Sequence, residues 1–234
     1  MPEAHHNGEK GARSAQSAMR PPASSPVGRL SEKNRVEAFS DGVFAIALTL
    51  LVLDLHVPHL TPPYACKDLI RAIAAQWPSL FAMVFSFFVV LSMWYTHHDL
   101  MRWVHSVNKR FLFANGLVLL VVSFAPFPAA VLAQYINTPA AGGAAAFYCG
   151  VYILNAIAFN IFLRALLTCE QVHGHVPEER IRTVLMAYNC GPFCYLATLA
   201  VCFYHPWLGL SGTLAMWILW LALDYRSRVE HPRI

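Results

Sequence analysis

The chain has 234 residues, of which 57% are hydrophobic and only 13% charged, and its mean hydropathy is +0.46. A soluble globular protein usually carries about 25% charged residues, so this composition excludes an ordinary soluble protein and indicates a polytopic membrane protein. The formal net charge of +4 suits cytoplasmic loops beside anionic lipid. It therefore gives no reason to expect a nucleic-acid partner.

The N-terminal region differs from the rest of the chain. Residues 1–28 are rich in Pro, Ser, Ala, Gly and His, and they contain no apolar run. Because the region lacks the apolar core of a signal peptide, we predict a disordered cytoplasmic arm over 1–30. A transmembrane domain over 31–228 and a short cytoplasmic tail over 229–234 are expected to follow.

Six apolar segments are long enough to cross a bilayer, since about 20 helical residues span its hydrocarbon core. The predicted fold is therefore all-α, with six transmembrane helices. Pro126, Pro128 and Pro192 lie inside these segments and should kink or end helices locally. The segments are 35–57, 69–99, 110–136, 143–168, 181–204 and 206–226.

Lys and Arg are distributed very unevenly between the two sides of the membrane. If the N-terminus is cytoplasmic and six helices follow, all 17 of these residues except Lys67 and Arg71 fall on the cytoplasmic side. Cytoplasmic loops carry an excess of Lys and Arg. Both termini are therefore predicted to be cytoplasmic.

The first segment has charges at both ends of an apolar run. Arg35 and Asp41 open the run and Asp54 closes it, with only twelve residues between the two carboxylates. That separation is about 20 Å along a helix, against a hydrocarbon core of about 30 Å. A helix inside a bundle, with polar partners or water at its ends, tolerates this arrangement better than a lipid-facing helix. We expect the first helix to be the functional element.

The faces of the first helix follow from a rotation of about 100° per residue. Ile46, Leu50 and Leu53 fall within about 60° of one another and form one apolar stripe, whereas Asp41 lies about 140° from Ile46 and should face other helices. Every amphipathic helix has such a stripe. From periodicity alone, ordinary helix packing is therefore the favoured interpretation of this stripe.

Thr49 lies about 60° to one side of Ile46. Its hydroxyl could reach the axis of an assembly from a neighbouring subunit. It could equally donate a hydrogen bond to the carbonyl of Ala45 one turn earlier, as Thr commonly does inside membrane helices. The sequence leaves both roles open.

His97 and His98 end the second segment at the same membrane level as Arg35 and Asp41, if the N-terminus is cytoplasmic. A buried carboxylate needs a partner, so one imidazole is predicted to bridge Arg35 and Asp41 while the other faces water. Histidines at a helix end are also common at the membrane interface without further function. A structural hydrogen-bond network is the hypothesis that we carry forward.

Other polar residues inside the apolar segments are less specific. Buried asparagines in membrane proteins usually form hydrogen bonds between helices. Cys190 and Cys194 are one helical turn apart, but no His or carboxylate in their segment completes a metal site, so no metal is predicted there. The asparagines are Asn115, Asn155, Asn160 and Asn189.

The first two segments resemble the signature of a known family. The element Arg35-x-x-x-Phe39-Ser40-Asp41, continued by Gly-Val-Phe-Ala-Ile-Ala over 42–47, is similar to the motif that opens the first helix in prokaryotic relatives of the endolysosomal potassium channel. The pair His97-His98 after Trp94 resembles the second helix of that family. The remaining segments match the family in hydropathy.

The resemblance implies a potassium-permeable channel that assembles as a homotetramer around a pore lined by the first helix, without a selectivity-filter loop. It implies a constriction at Ile46, Leu50 and Leu53, and a role for Thr49 in potassium preference. It also implies that Arg35, Ser40 and Asp41 form a supporting network with His97 or His98. The expected ligand is the permeant potassium ion, no cofactor is expected, and the expected location is a bacterial plasma membrane.

Two alternatives come from other functional classes. A secondary transporter or proton-coupled carrier could use Asp41 and the His97–His98 pair as a proton relay, although the sequence shows no inverted repeat with paired broken helices. A membrane-embedded enzyme or assembly factor could use His97, His98 and Asp99 as metal ligands. No phosphate-binding loop, catalytic triad or zinc-protease motif is present, so no enzymatic activity is predicted.

Overall fold

The computed structural model describes residues 26–169 and 176–229. The predicted N-terminal arm up to residue 25 and the tail from 230 lie outside the described residues. Within them the regular structure is entirely helical, with eight α-helices and one 3₁₀ segment. In chain order these are α1 Pro26–Leu50, the 3₁₀ segment Leu51–Asp54, α2 Cys66–Ala75, α3 Trp77–Met101, α4 Lys109–Phe124, α5 Pro126–Tyr135, α6 Ala141–Leu166, α7 Glu178–Cys202 and α8 Pro206–Val229.

Five helical stretches of the described residues are long and apolar enough to cross a membrane. They coincide with the first five predicted segments, and the sixth predicted segment lies on α8, which has 24 residues. The prediction of an all-α polytopic membrane protein is confirmed. The five stretches are Glu32–Asp54, Trp77–Met101, Lys109–Tyr135, Ala141–Leu166 and Glu178–Cys202.

The predicted second segment, 69–99, combines two different helices. The short helix α2 has no buried side chain, and the chain leaves helical geometry at Gln76, where φ is −82° and ψ is 10°. Pro78 near the start of α3 has no backbone N–H to donate to the preceding turn, so a helix restarts there more easily than it continues. The membrane-spanning part begins at Trp77.

Proline has different effects in the third and fifth segments. The third segment divides into α4 and α5 at Ala125, directly before Pro126, as predicted. Helix α7 instead continues through Pro192, so of the two predicted effects, a kink or a helix end, the helix end does not occur at this residue. A helix in lipid loses more by leaving its backbone groups unpaired than it loses by omitting one hydrogen bond.

The first helix extends beyond its predicted start and changes geometry before its predicted end. It begins at Pro26, inside the segment assigned to the arm, and residues 51–54 form a 3₁₀ turn. A 3₁₀ turn rotates the chain by about 120° per residue instead of 100°. The position of Leu53 therefore does not follow from the α-helical projection.

Helix α6 lies at the centre of the bundle and contacts α4, α5, α7 and α8, whereas α1 packs against α3 and α4. The buried core includes Phe111, Phe162 and Tyr148. Helix α7 lies on the outside, since only Ile181, Gly191 and Cys202 among its residues are buried. This packing leaves one face of α1 and most of the surface of α7 uncovered by the described residues.

Candidate pore helix and its anchors

One face of α1 holds the helix in the bundle. Ser40, Phe44, Ala47 and Leu51 are each at most 3% exposed. They are separated by four, three and four residues, which is the spacing of a single helical stripe. This face packs against α3 and α4.

The opposite face consists of large apolar side chains that the described residues leave exposed. The exposed fraction is 60% for Ile46, 41% for Leu50 and 68% for Leu53. Phe39 continues the face at the other end of the helix and is 66% exposed. The three residues of the predicted stripe therefore share one outward face, with Leu53 reaching it from the 3₁₀ turn. We call Phe39, Ile46, Leu50 and Leu53 the outer face of α1.

Thr49 is also exposed, and its hydroxyl donates to the carbonyl of Ile46 at 2.9 Å. The acceptor is thus Ile46 instead of the expected Ala45. Because this bond uses the hydroxyl hydrogen, the lone pairs on Oγ1 are left for an ion or water. The two roles that the sequence left open for Thr49 are therefore compatible.

Asp41 faces a neighbouring helix, in agreement with its predicted angle. The indole Nε1 of Trp94 on α3 donates to Oδ1 of Asp41 at 2.8 Å. Arg35 is exposed, and within the described residues no hydrogen bond or ion pair links it to Asp41, His97 or His98. The predicted bridge between Arg35 and Asp41 is absent because six residues turn the helix by about 240°, which separates the two side chains around the axis.

A hydrogen-bonded chain of three buried side chains joins α1, α4 and α3. Asn115 Nδ2 donates to Ser40 Oγ at 3.0 Å, and His97 Nε2 lies 2.7 Å from Asn115 Oδ1. Since an amide oxygen only accepts, His97 carries its proton on Nε2. Ser40 in turn donates to the carbonyl of Val36 at 2.9 Å. The three side chains are at most 4% exposed, and we call them the Ser40–Asn115–His97 chain.

The Ser40–Asn115–His97 chain differs from the network that the sequence predicted. Asn115 was expected to bond between helices, which is confirmed, as is the interhelical bond from Asn160 Nδ2 to Asn189 Oδ1 at 2.8 Å. The sequence did not reveal that Asn115 is the partner of both Ser40 and His97. The one sequence feature that could have indicated this partner is the position of Asn115 about two turns into its helix, which places it at the same membrane depth as Ser40 and His97.

His98 takes a different partner from His97. Its Nδ1 lies 3.5 Å from Glu37 Oε1, and its ring stacks on Trp94 with centroids 5.6 Å apart. Lys33 Nζ approaches the other Glu37 oxygen at 3.8 Å. Glu37 was not singled out from the sequence, although it lies one turn before Asp41 on the same helix.

Asp99 forms a third separate contact. Arg180 at the start of α7 lies 3.3 Å from its Oδ2, and the guanidinium carbon of Arg180 lies 5.3 Å from the centre of the Trp103 ring. His97, His98 and Asp99 thus point to different partners. In the described part of the chain no three His, Cys, Asp or Glu side chains come close enough to hold a metal ion, so the geometry does not support the metal-ligand alternative.

The contact between Trp94 and Asp41 leads to a first prediction. Trp94→Phe keeps an aromatic ring but removes the N–H donor, and a hydrogen bond to a charged group contributes about 1.5–3 kcal/mol when buried. Since Asp41 is only half-buried, we expect a loss of about 1 kcal/mol, seen as a lower midpoint of thermal unfolding in detergent. Trp217→Phe is the control, because the buried Nε1 of Trp217 has no partner among the described residues. Equal shifts in the two variants would contradict the assigned contact.

Comparison with known proteins identifies the family. Residues 35–126, which include α1 from residue 35 onward and all of α2, α3 and α4, match the family model described as endosomal/lysosomal potassium channel TMEM175. A potassium channel of Chamaesiphon minutus is 37% identical over 182 residues, 77% of this chain and 89% of the relative. A potassium channel of Streptomyces collinus is 38% identical over 195 residues, 80% of this chain and 92% of the relative.

Structural comparison agrees with the sequence match. The crystal structure of a lysosomal potassium-selective channel TMEM175 homolog from Chamaesiphon minutus superposes with a TM-score of 0.69 at 36% identity, covering 84% of this chain and 98% of that chain. The similarity extends over nearly the whole of both relatives and of the solved structure. The chain belongs to the TMEM175 potassium-channel family.

Proposed function

We propose that this protein is a potassium-permeable cation channel without a selectivity-filter loop, and not an enzyme. Four copies surround a pore lined by α1, with Ile46, Leu50 and Leu53 forming a hydrophobic constriction. The observation that carries the proposal is the outer face of α1, where large apolar side chains project away from the chain's own core. Exposed apolar residues also suit lipid. The pore is favoured because the segment that matches the channel family begins within α1, and because Asp41 and Asp54 flank Ile46, Leu50 and Leu53 in the sequence.

The geometry suggests how such a pore would close. Ile46 and Leu50 are one turn apart, about 6 Å along the helix, so four copies give successive apolar rings. A narrow apolar constriction resists wetting and thereby blocks ions. The Ser40–Asn115–His97 chain and the Asp41–Trp94 bond fix α1 against α3 and α4, which orients the rings. We place the channel in a bacterial plasma membrane with both termini cytoplasmic, on the basis of the Lys and Arg distribution.

Flux through the purified protein in liposomes tests the proposal. We expect unitary currents that follow the electrochemical gradient of potassium, and smaller currents when sodium replaces potassium. Proton flux is measured in parallel. A saturable flux with a fixed ratio of coupled ions would favour the carrier alternative and contradict the channel. Cross-linking of the detergent-solubilised protein should yield a four-subunit limit, and a monomer or dimer limit would contradict the tetramer.

Thr49 provides a prediction about ion preference. In a tetramer, four Thr49 oxygens form the only hydroxyl ring that α1 supplies between Asp41 and Asp54. Without a ring of carbonyls, discrimination depends on weaker features such as this one. Thr49→Ala should lower the potassium-to-sodium permeability ratio about two- to fivefold, equivalent to about 0.5–1 kcal/mol, while current persists. Reversal potentials under bi-ionic conditions measure the ratio.

Thr198→Ala is a matched control for this prediction. Thr198 on α7 donates to the carbonyl of Tyr195 at 2.8 Å, a back-bond of the same spacing as that from Thr49 to Ile46. The control variant should keep the wild-type ratio, because α7 lies outside the proposed pore. An unchanged reversal potential in Thr49→Ala would exclude the hydroxyl ring.

A further inference from the structure

A second feature of the molecule lies away from α1, on the outer surface of α6 and α7. Arg164 is exposed near the end of the membrane-spanning helix α6. Its Nε donates to Asn160 Oδ1 at 2.7 Å, and its Nη2 donates to Asn189 Oδ1 at 2.8 Å. Side chains on a helix lean toward its N-terminus, so the guanidinium points back along α6 to the level of Asn160. A cation is thus held at a fixed position on the exposed surface of α6 and α7.

The partners of Arg164 do not neutralise its charge. Both acceptors are neutral amide oxygens, and no carboxylate of the described residues lies within ion-pair distance of this guanidinium. The two bonds use two of its five N–H groups. An ionisable side chain within a membrane-spanning segment normally pairs with an opposite charge or lines a polar cavity. An anionic ligand would supply the opposite charge that the described residues do not provide for Arg164.

A groove beside Arg164 runs along α7. Its volume is about 530 Å³, within the ~300–1,000 Å³ range of small-molecule sites. Asn189, which accepts from Arg164, is part of its lining. The groove follows one helical stripe that starts with charged residues and continues with apolar ones. The residues that matter here are Glu178, Arg182, Leu185, Met186, Asn189 and Cys190.

The lining has the polarity of a phospholipid. Arg182 is in the first turns of α7, at the level of the membrane interface, and Leu185 and Met186 follow it toward the membrane interior. From 178 to 190 the stripe measures about 18 Å, which accommodates a headgroup and part of an acyl chain. Arg164 and Arg182 together with Glu178 give the site one net positive charge. That charge complements the single negative charge of a phosphodiester.

We propose that this groove binds an anionic glycerophospholipid. Arg182 binds the phosphate, Arg164 donates to the ester carbonyl oxygens deeper in the membrane, and an acyl chain lies along Leu185 and Met186. In the proposed topology this end of the bundle faces the cytoplasmic leaflet, whose anionic lipids attract basic residues near the membrane surface. The assignment of the site to the cytoplasmic leaflet rests on that topology. Lipid binding itself depends neither on the topology nor on ion conduction.

Cys190 allows the proposal to be tested directly. It is exposed and lines the groove, whereas Cys66 is exposed at the start of α2. In full-length protein purified in detergent, dioleoyl phosphatidylglycerol should slow maleimide modification of Cys190, as followed by peptide mass spectrometry, and leave Cys66 unaffected. Dioleoyl phosphatidylethanolamine, with the same chains and no net charge, should protect Cys190 much less. R164Q and R182Q should each raise the half-protecting phosphatidylglycerol concentration about fivefold.

Two further variants make the test specific. R110Q removes a cytoplasmic-side charge at the start of α4, outside the groove, and should behave as wild type. Met186→Trp fills the groove without changing its charge and should abolish protection even if an arginine variant fails to fold. Equal protection by the two lipids, or protection that survives in R164Q, R182Q and Met186→Trp, would overturn the proposal. A third outcome would show instead that this face is a subunit contact: Cys190 does not react with maleimide in the absence of lipid, and it forms cross-links between copies of the chain.

Discussion

Leu50→Asn is expected to raise resting potassium flux about tenfold or more, which corresponds to a barrier lower by at least about 1.4 kcal/mol. In the proposed tetramer the substitution places four amides in the constriction, between the rings formed by Ile46 and Leu53. Polar groups there favour water in a narrow apolar pore, and a wetted pore conducts. Potassium flux out of potassium-loaded liposomes at zero applied voltage measures the change. Single-channel recording shows whether the increase comes from a higher open probability or from a higher conductance.

The same substitution on α4 separates a pore effect from general damage. Leu120 is 66% exposed on a helix that lies outside the proposed pore. Leu120→Asn puts the same amide into a membrane-spanning segment, with a similar cost of insertion. It should change protein yield without raising flux. Unchanged flux across Asn substitutions at Ile46, Leu50 and Leu53, or an equal rise with Leu120→Asn, would show that the outer face of α1 faces lipid.

Helical periodicity alone predicted which residues of α1 share a face, but not which of the two faces the bundle covers. The stripe of Ile46 and Leu50 lies outside the bundle, and Asp41 turns toward α3, as the 100° rotation requires. The same projection explains why Arg35 does not pair with Asp41. Leu53 reaches the stripe by a different route, because the helix tightens to a 3₁₀ turn after Leu50. The residue types at 51–54 do not predict this change of helical geometry.

The partners across helices could not be predicted to the same degree. Depth in the membrane matched His97 with Asp41, but depth does not say which helices are neighbours. Because α4 packs against α1, Asn115 takes the position between Ser40 and His97, and His98 turns to Glu37 instead. The groove beside Arg164 also depends on neighbouring helices, since Asn160 and Asn189 are far apart in the chain and meet only through packing.

Asn115→Ala is expected to cause the largest loss of stability among single substitutions in the Ser40–Asn115–His97 chain. It removes the acceptor of His97 Nε2–H and the donor to Ser40 Oγ at once. A buried donor left without a partner costs about 1–3 kcal/mol, so we expect a loss of about 2 kcal/mol. For a chain of this size the unfolding midpoint should then fall by about 4–8 °C. Tryptophan fluorescence during heating of the detergent-solubilised protein measures it.

Asn155→Ala is the matched control for this loss, because the buried Oδ1 of Asn155 on α6 has no hydrogen-bond partner among the described residues. Removing that amide leaves no described acceptor or donor unpaired, so the midpoint should change little. His97→Phe should destabilise less than Asn115→Ala, since the ring contacts with Phe44 and Phe162 can persist while only one hydrogen bond is lost. Combining the two changes should cost less than their sum, because His97→Phe removes the donor that Asn115→Ala leaves unpaired. Additive effects would mean that His97 and Asn115 act independently, and α1 would then be held mainly by the packing of Phe44, Ala47 and Leu51.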